Sequence, residues 1–215
     1  MRFDYCFVDL DDTIFNTKKF KDDIYKVFSP LGITRADFTR AYRSAAELKK
    51  MGYFHYTFEK QIESVRLAGY PAGRKEFLAL NNLLKNDYRK VGAIDFVKYL
   101  QTVCDKVILL TAGTKDFQAK KVKALKIAGL FDKIIQISGG KDKILRPYIL
   151  RKKQILFIND NLEENLMIKK LFTKINVLTL FNSSYWKVGD CKKSKIPYFK
   201  NYNQMKKYIS KYELR

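Results

Sequence analysis

The sequence predicts an α/β fold: a doubly wound parallel sheet with an all-helical block inserted after its first strand. Three observations predict it. A short apolar run, Tyr5-Cys6-Phe7-Val8, turns abruptly into Asp9-Leu10-Asp11-Asp12-Thr13, as a buried central strand does where it leaves a sheet. Residues 17–88 then carry helical spacing without an evident strand. From 91 to 180 helix and strand patterns alternate, which calls for a parallel sheet covered on both faces.

In chain order, Phe20, Ile24 and Val27-Phe28 mark a first helix, closed by Ser29-Pro30-Leu31-Gly32. Thr34 caps a second, running through Phe38, Tyr42, Ala45-Ala46 and Leu48 to Met51-Gly52. Thr57 opens a third that ends at Gly69-Tyr70-Pro71, and a fourth extends from Lys75 through Leu78, Leu80 and Leu83-Leu84 to Tyr88. The predicted division is therefore a core of residues 1–16 plus 89–215 and a helical subdomain of residues 17–88. A helix at Val91–Leu100 leads back into the sheet. Strand Lys106–Leu110 ends at Thr111-Ala112-Gly113 and precedes a helix from Lys115 to Ala128, stopped by Gly129. Strand Lys133–Ile137 is followed by a short helix at Ile144–Leu150. Strand Gln154–Ile158 ends at Asn159-Asp160, followed by helix Leu162–Phe172 and strand Asn176–Leu180. A last helix spans Gln204–Lys211.

With 215 residues the chain can build one good core and a small insert. Cys6, Cys104 and Cys191 are few and widely spaced, which argues against a disulfide framework or a zinc site. No apolar run approaches a bilayer span, and Met1-Arg2-Phe3-Asp4 has no secretory pattern, so a soluble, cytoplasmic protein without membrane insertion is expected. The charge is lopsided: 43 Lys and Arg against 22 Asp and Glu give +21. Such a field gathers anions and favours nonspecific adhesion to nucleic acid at low salt. A composition rich in Lys, Ile, Asn and Tyr accounts for it equally well. No RNA-recognition signature or zinc-finger spacing is present.

In extended chain, residues two apart point the same way, so Asp9 and Asp11 are expected on one side of the strand end with Leu10 turned inward. Two close carboxylates repel unless a cation or proton holds them. Mg²⁺, a hard ion that takes a few carboxylates and leaves positions to water and phosphate oxygens, suits them; an ordinary acidic turn is the alternative. Thr111 and Asp160 also stand at strand ends, where ligands bind in open sheets of this kind. Taken alone, Thr111 reads more readily as a helix cap.

Asp9-Leu10-Asp11-Asp12-Thr13-Ile14-Phe15-Asn16 resembles the first motif of the haloacid dehalogenase (HAD) superfamily, Asp-x-Asp-x-Thr after a hydrophobic strand, with Asp12 where many members carry Gly. Leu109-Leu110-Thr111-Ala112-Gly113 resembles the second motif, in which the Thr hydroxyl and nearby backbone N–H groups hold phosphoryl oxygens. Asn159-Asp160-Asn161-Leu162-Glu163-Glu164-Asn165 resembles the fourth in its Gly-Asp-x-x-x-x-Asp form, with Asn159 for Gly and Asn165 for the last Asp; Glu164 is a partial substitute for that acid. The third motif is a Lys before a helix. Lys141 and Lys143 are both candidates, and Lys141 is preferred because it sets Leu145 and Tyr148 at buried spacing. The resemblance covers a Rossmann-like core, residues 3–16 and 91–180, and places the helical insert at the position of the family's type-one cap.

The resemblance implies a Mg²⁺-dependent phosphomonoesterase acting on a small phosphorylated metabolite such as a nucleotide or sugar phosphate. Asp9 would attack phosphorus and carry an aspartyl-phosphate, and Asp11 would serve as general acid and base. Asp9, the backbone carbonyl of Asp11, and Asp160 would hold Mg²⁺. Thr111, Ala112, Gly113 and Lys141 would bind the phosphoryl oxygens. Dehalogenating relatives lack the acid at the Asp11 position, so its presence favours phosphoryl chemistry. A phosphomutase is compatible with the same motifs. So is a nucleic-acid-associated protein whose HAD core trims terminal phosphates or is catalytically idle. His55, within Tyr53-Phe54-His55-Tyr56, is the single histidine; it is read either as a substrate contact or, with its aromatic neighbours, as part of the cap's own core.

Overall fold

The computed structural model describes residues 2–48 and 54–213. Its centre is a six-stranded, wholly parallel sheet. The strands are β1 (Phe3–Val8), β4 (Cys104–Ala112), β5 (Lys133–Ile137), β6 (Ile155–Asn159), β7 (Asn176–Leu180) and β8 (Tyr198–Phe199), in spatial order β5-β4-β1-β6-β7-β8. The chain winds outward from β1 to β5, then crosses back to β6 and winds the other way. β1 is thus the central strand, and the reversal of strand order falls beside it. Val8 lies level with Leu109 of β4 and Ile158 of β6, so the carboxyl ends of all three strands open at one place.

Period two separates the two faces of β1. Val8 joins an apolar layer with Leu109, Phe96 and Leu100, whereas Phe7 packs on the opposite face with Ile108, Leu110, Leu145, Phe157 and Ile168. The first layer continues without a break into the inserted helices α1 (Thr17–Phe28), α2 (Arg35–Ala45), α3 (Phe58–Leu67) and α4 (Arg74–Leu83), through Phe15, Phe20, Phe28, Phe58 and Tyr88. Each of the first three is started by a side-chain cap, Thr34 and Thr57 as the sequence offers and Asn16 besides: Asn16, Thr34 and Thr57 accept from Lys19, Asp37 and Lys60 N–H respectively. The core helices are α5 (Ala93–Val103), α6 (Lys115–Leu125), α7 (Asp142–Leu150), α8 (Leu162–Leu171), α9 (Val188–Ser194) and α10 (Tyr202–Glu213).

The insert departs from the all-helical expectation. α2 stops at Ala45, and Glu47–Leu48 (β2) pairs antiparallel with Phe54–His55 (β3). Local spacing favoured helix through Leu48, but a pairing partner in an aromatic stretch captures it; Met51 and Gly52, where that helix was expected to end, and Tyr53 lie outside the described residues. α4 ends at Leu83 rather than Tyr88, and Tyr88 accompanies the bridge between Phe15 and Arg89 that returns the chain to the core. α6 ends three residues before Ala128 because Lys126 turns left-handed (φ 53). α9 and β8 were not anticipated; their Lys-rich sequence carries little periodicity.

At the β5 edge α7 covers the second face of the sheet only in part. A groove of about 870 Å³ runs between β4–β5 and α7, floored by Ile108 and Ile135 and flanked by Lys106, Lys115, Lys133, Lys143 and Arg151. Among the described residues no helix is long and apolar enough to cross a membrane.

Candidate active site

β1 hands over to the site at Asp9, whose N–H donates to the carbonyl of Ile158 (2.9 Å) and so fixes the residue against the end of β6. Beyond it the extended form is abandoned. The Leu10 carbonyl accepts from the N–H groups of Thr13, Ile14 and Phe15, and Asp12 is left-handed at φ 54. Period-two alternation therefore ends at Asp9, and the two acids expected to point the same way have separate partners. Lys141 Nζ donates to Asp9 Oδ1 at 2.8 Å and to Glu164 Oε2 at 2.7 Å; Asn159 Nδ2 holds the same Glu164 oxygen at 2.7 Å. Lys143 is exposed and lines the groove. Of the two candidate lysines, Lys141 alone reaches Asp9.

Burial dominates the electrostatics, since Asp9, Lys141 and Asp160 are 5, 4 and 8 % exposed. Desolvation pushes the Asp9 carboxyl up to about 6, against the pull of Lys141 and with the push of Asp11. Desolvation acts on Lys141 toward the neutral form, but Asp9 and Glu164 outweigh it and hold the ammonium well above its ordinary value. Burial, then the charges of Asp9 and Asp12, drive Asp160 far above the usual carboxylate range. Among the described residues Asp160 makes no ion pair; Asn182 Nδ2 donates to it at 3.1 Å.

Asp11 faces α6. Lys121 Nζ lies 2.7 Å from Oδ1, which Thr17 Oγ1 also approaches (3.4 Å), and Gln118 Nε2 donates to Oδ2 at 2.8 Å. Burial would raise Asp11, but the Lys121 charge and these hydrogen bonds hold it below the ordinary range. Thr111 is 1 % exposed and, among the described residues, its hydroxyl has no hydrogen-bond partner, as suits a group waiting for an anion.

Gly113 does not stand as expected. The Gly113 N–H donates to Ile137 O (3.0 Å), prolonging the β4–β5 ladder, and is not free for a phosphoryl oxygen; the Ala112 carbonyl accepts from Gln118. What Gly113 supplies is room: at φ +147, an added Cβ would lie 2.8 Å from Gln118 Nε2. Asn165 is fully buried and donates to Asn159 O and Thr179 Oγ1, so it ties β6 to β7, while Glu164 is the acid that joins the Asp9 cluster.

The insert closes over these groups. Tyr56 N–H donates to Thr114 Oγ1, the Tyr56 and Phe58 rings pack on Phe117 of α6, and Lys21 donates to Tyr185 OH (2.7 Å) across from α1. Burial, then the charges of Asp11, Tyr185 and Asp12, hold the Tyr42 phenol far above its ordinary value. His55 sits in the β2–β3 hairpin paired with Glu47. Lys90, also unforeseen, donates to Asp12 O at 2.7 Å. Lys121 and Gln118 had a signal in the sequence: two long polar residues inside the buried stripe of α6, among Phe117, Val122 and Leu125.

Asp9 and Asp160 are buried carboxylates at adjacent strand ends, and the second is without a counter-charge in contact. That donor set fits a hard divalent cation. Among the described residues no three His, Cys, Asp or Glu side chains are grouped to hold a metal by themselves, so a backbone oxygen such as Asp11 O and solvent would complete the shell.

No family model and no curated protein matches the chain. Solved structures do match over nearly their whole length. YfnB of Bacillus subtilis, described as a HAD-hydrolase and bound to magnesium, shares 15% identity, with 97% of this chain and 99% of that one covered and a TM-score of 0.68. L-2-haloacid dehalogenase from Xanthobacter autotrophicus shares 12% identity over 97% and 98% (TM-score 0.67). A haloacid dehalogenase-like hydrolase from Streptococcus pneumoniae shares 17% over 96% and 98% (TM-score 0.63). The chain thus has the Rossmann-like fold of the HAD hydrolases.

Proposed function

We propose that the protein is a Mg²⁺-dependent phosphoric monoester hydrolase acting on a small phosphorylated metabolite, such as a nucleotide or sugar phosphate, through an aspartyl-phosphate on Asp9. The observation that carries this reading is the pairing of buried Asp9 with Lys141 and its placement beside Asp160, together with a second acid, Asp11, two residues on. The motif resemblance assigns that second acid to the phosphatases and its absence to the dehalogenases.

An Asp9 oxygen attacks phosphorus as the bond to the leaving oxygen breaks, and Asp11, ionised at rest and protonated in the substrate complex as the negative phosphate beside it disfavours a second negative charge, gives that oxygen its proton. Water then attacks the acyl phosphate, gives a proton back to Asp11 and frees Asp9. Lys141 neutralises charge on the transferring group, and the unpartnered Thr111 hydroxyl donates to one of its oxygens. Bound Mg²⁺, held by Asp9, Asp160 and the Asp11 carbonyl, would screen the anionic nucleophile from the anionic phosphate. The insert, with Tyr42 and Lys21 near the acids, excludes water and shapes specificity.

The test is a panel of phosphomonoesters, with 2-haloacids beside them, assayed with Mg²⁺ and with chelator. Turnover of phosphoesters that stops without metal is expected. So is a loss of about 10³-fold or more in Asp9→Asn with its circular dichroism unchanged. Mg²⁺ should also raise Tm in the wild type and not in Asp160→Asn. Turnover of haloacids alone would overturn the reading, and release of an isomerised sugar phosphate would make the enzyme a mutase. The basic groove at the β5 edge favours a second reading, a nucleic-acid-associated protein using the same core on terminal phosphates.

A further inference from the structure

We propose that Lys121 is a positioning residue that acts through Asp11, holding that carboxylate in the orientation its proton transfers require. The inference rests on the hydrolase reading above. Lys121 is 6 % exposed, and its ammonium stands 4.8 Å from the ring centre of Phe15 and 5.0 Å from that of Phe117, with Asp11 Oδ1 at 2.7 Å. Its ammonium is thus engaged by Asp11 and two aromatic rings. Gln118, one turn earlier on the same face of α6, takes the other oxygen of the same carboxylate, and it is anchored in turn on Ala112 O. Gly113 supplies the space Gln118 occupies.

Two oxygens, two donors three residues apart on one helix, and a glycine that admits one of them form a bracket around one side chain. Stability alone does not call for it, because a buried ion pair is commonly no more stabilising than an apolar pair of similar volume. Orientation does call for it. A proton-transferring group must stay within about 2.6–3.2 Å of its target, and Asp11 stands in a turn where the strand no longer directs its side chain.

If Lys121 acts through Asp11, Lys121→Met lowers kcat by about 10- to 100-fold and leaves KM within about twofold. Lys121→Arg keeps a donor and charge and restores part of kcat. The double variant Asp11→Asn/Lys121→Met is no slower than Asp11→Asn alone, since a residue working through another has nothing left to orient. Gln118→Leu, which leaves the ion pair in place, gives a smaller loss in kcat and serves if Lys121→Met does not fold. The inference is overturned if the folded variants keep wild-type kcat, if the loss lies in KM, or if the two single losses multiply in the double variant. A wild type that folds but turns over no phosphomonoester overturns the hydrolase reading and this one with it. An active wild type beside unaffected variants overturns this one alone.

Discussion

Asp12 occupies a left-handed conformation (φ 54) in the turn after β1, at the place where the HAD motif often has glycine, and its charge adds to those that raise Asp160. Its backbone does useful work, with the N–H donating to Thr17 Oγ1 and the carbonyl accepting from Lys90. Glycine would keep both bonds, relieve the left-handed Cβ and remove one repelling carboxylate, at an unfolded-state entropy cost of about 0.5–1 kcal/mol. Asp12→Gly should therefore melt within about 3 °C of the wild type. Asp12→Val sets a branched Cβ at positive φ and should cost about 1–2 kcal/mol. Calorimetry on the two variants checks this, and a valine variant as stable as the glycine one would refute it. At this scale Asp9, Asp11, Thr111 and Asp160 were legible because each ends, or nearly ends, an apolar strand. Lys90 was not, because in a chain with 43 Lys and Arg nothing local says which ammonium is buried against which acid; Lys121 is marked as buried by its place in the stripe of α6, but nothing local names Asp11 as its partner.

Helix α8 links local capping to the site. Asn161 Oδ1 accepts from the N–H of Glu164, and Glu164 in turn holds Lys141 and Asn159. Losing the cap frees the first turn of α8 and with it the carboxylate that steadies Lys141. Asn161→Ala should cost about 1 kcal/mol in urea denaturation and lower turnover in the proposed phosphoester reaction, whereas Thr34→Ala, an equivalent cap lost at α2, should cost as much stability with less effect on turnover. Equal turnover in the two variants would break the proposed link. The order of strands and helices was readable because apolar period changes from 3.6 to runs of five at each junction. The β2–β3 hairpin was not, since a two-residue strand has no period and depends wholly on its partner.

For the molecule as a whole, the open question in its +21 charge is whether the β5 groove concentrates it or merely shares in it. A variant with Lys115, Lys133, Lys143 and Arg151 replaced by Gln should lose most affinity for single-stranded oligonucleotides. Its slope of log affinity against log salt should flatten by about 3. A control with Lys170, Lys174, Lys192 and Lys193 replaced carries the same net charge and should bind like the wild type. Equal losses by anisotropy in both would assign the binding to bulk charge and leave the groove without a role.

Tyr202, the first residue of α10, stacks on Phe96 and donates its hydroxyl to the carbonyl of Thr13 at 2.5 Å, bridging 189 positions. The acid-bearing turn leaves the ribosome 189 positions ahead of the residue that braces it. Until α10 has followed, that turn stands without its Tyr202 hydrogen bond, so its final form depends on a contact between distant parts of the chain.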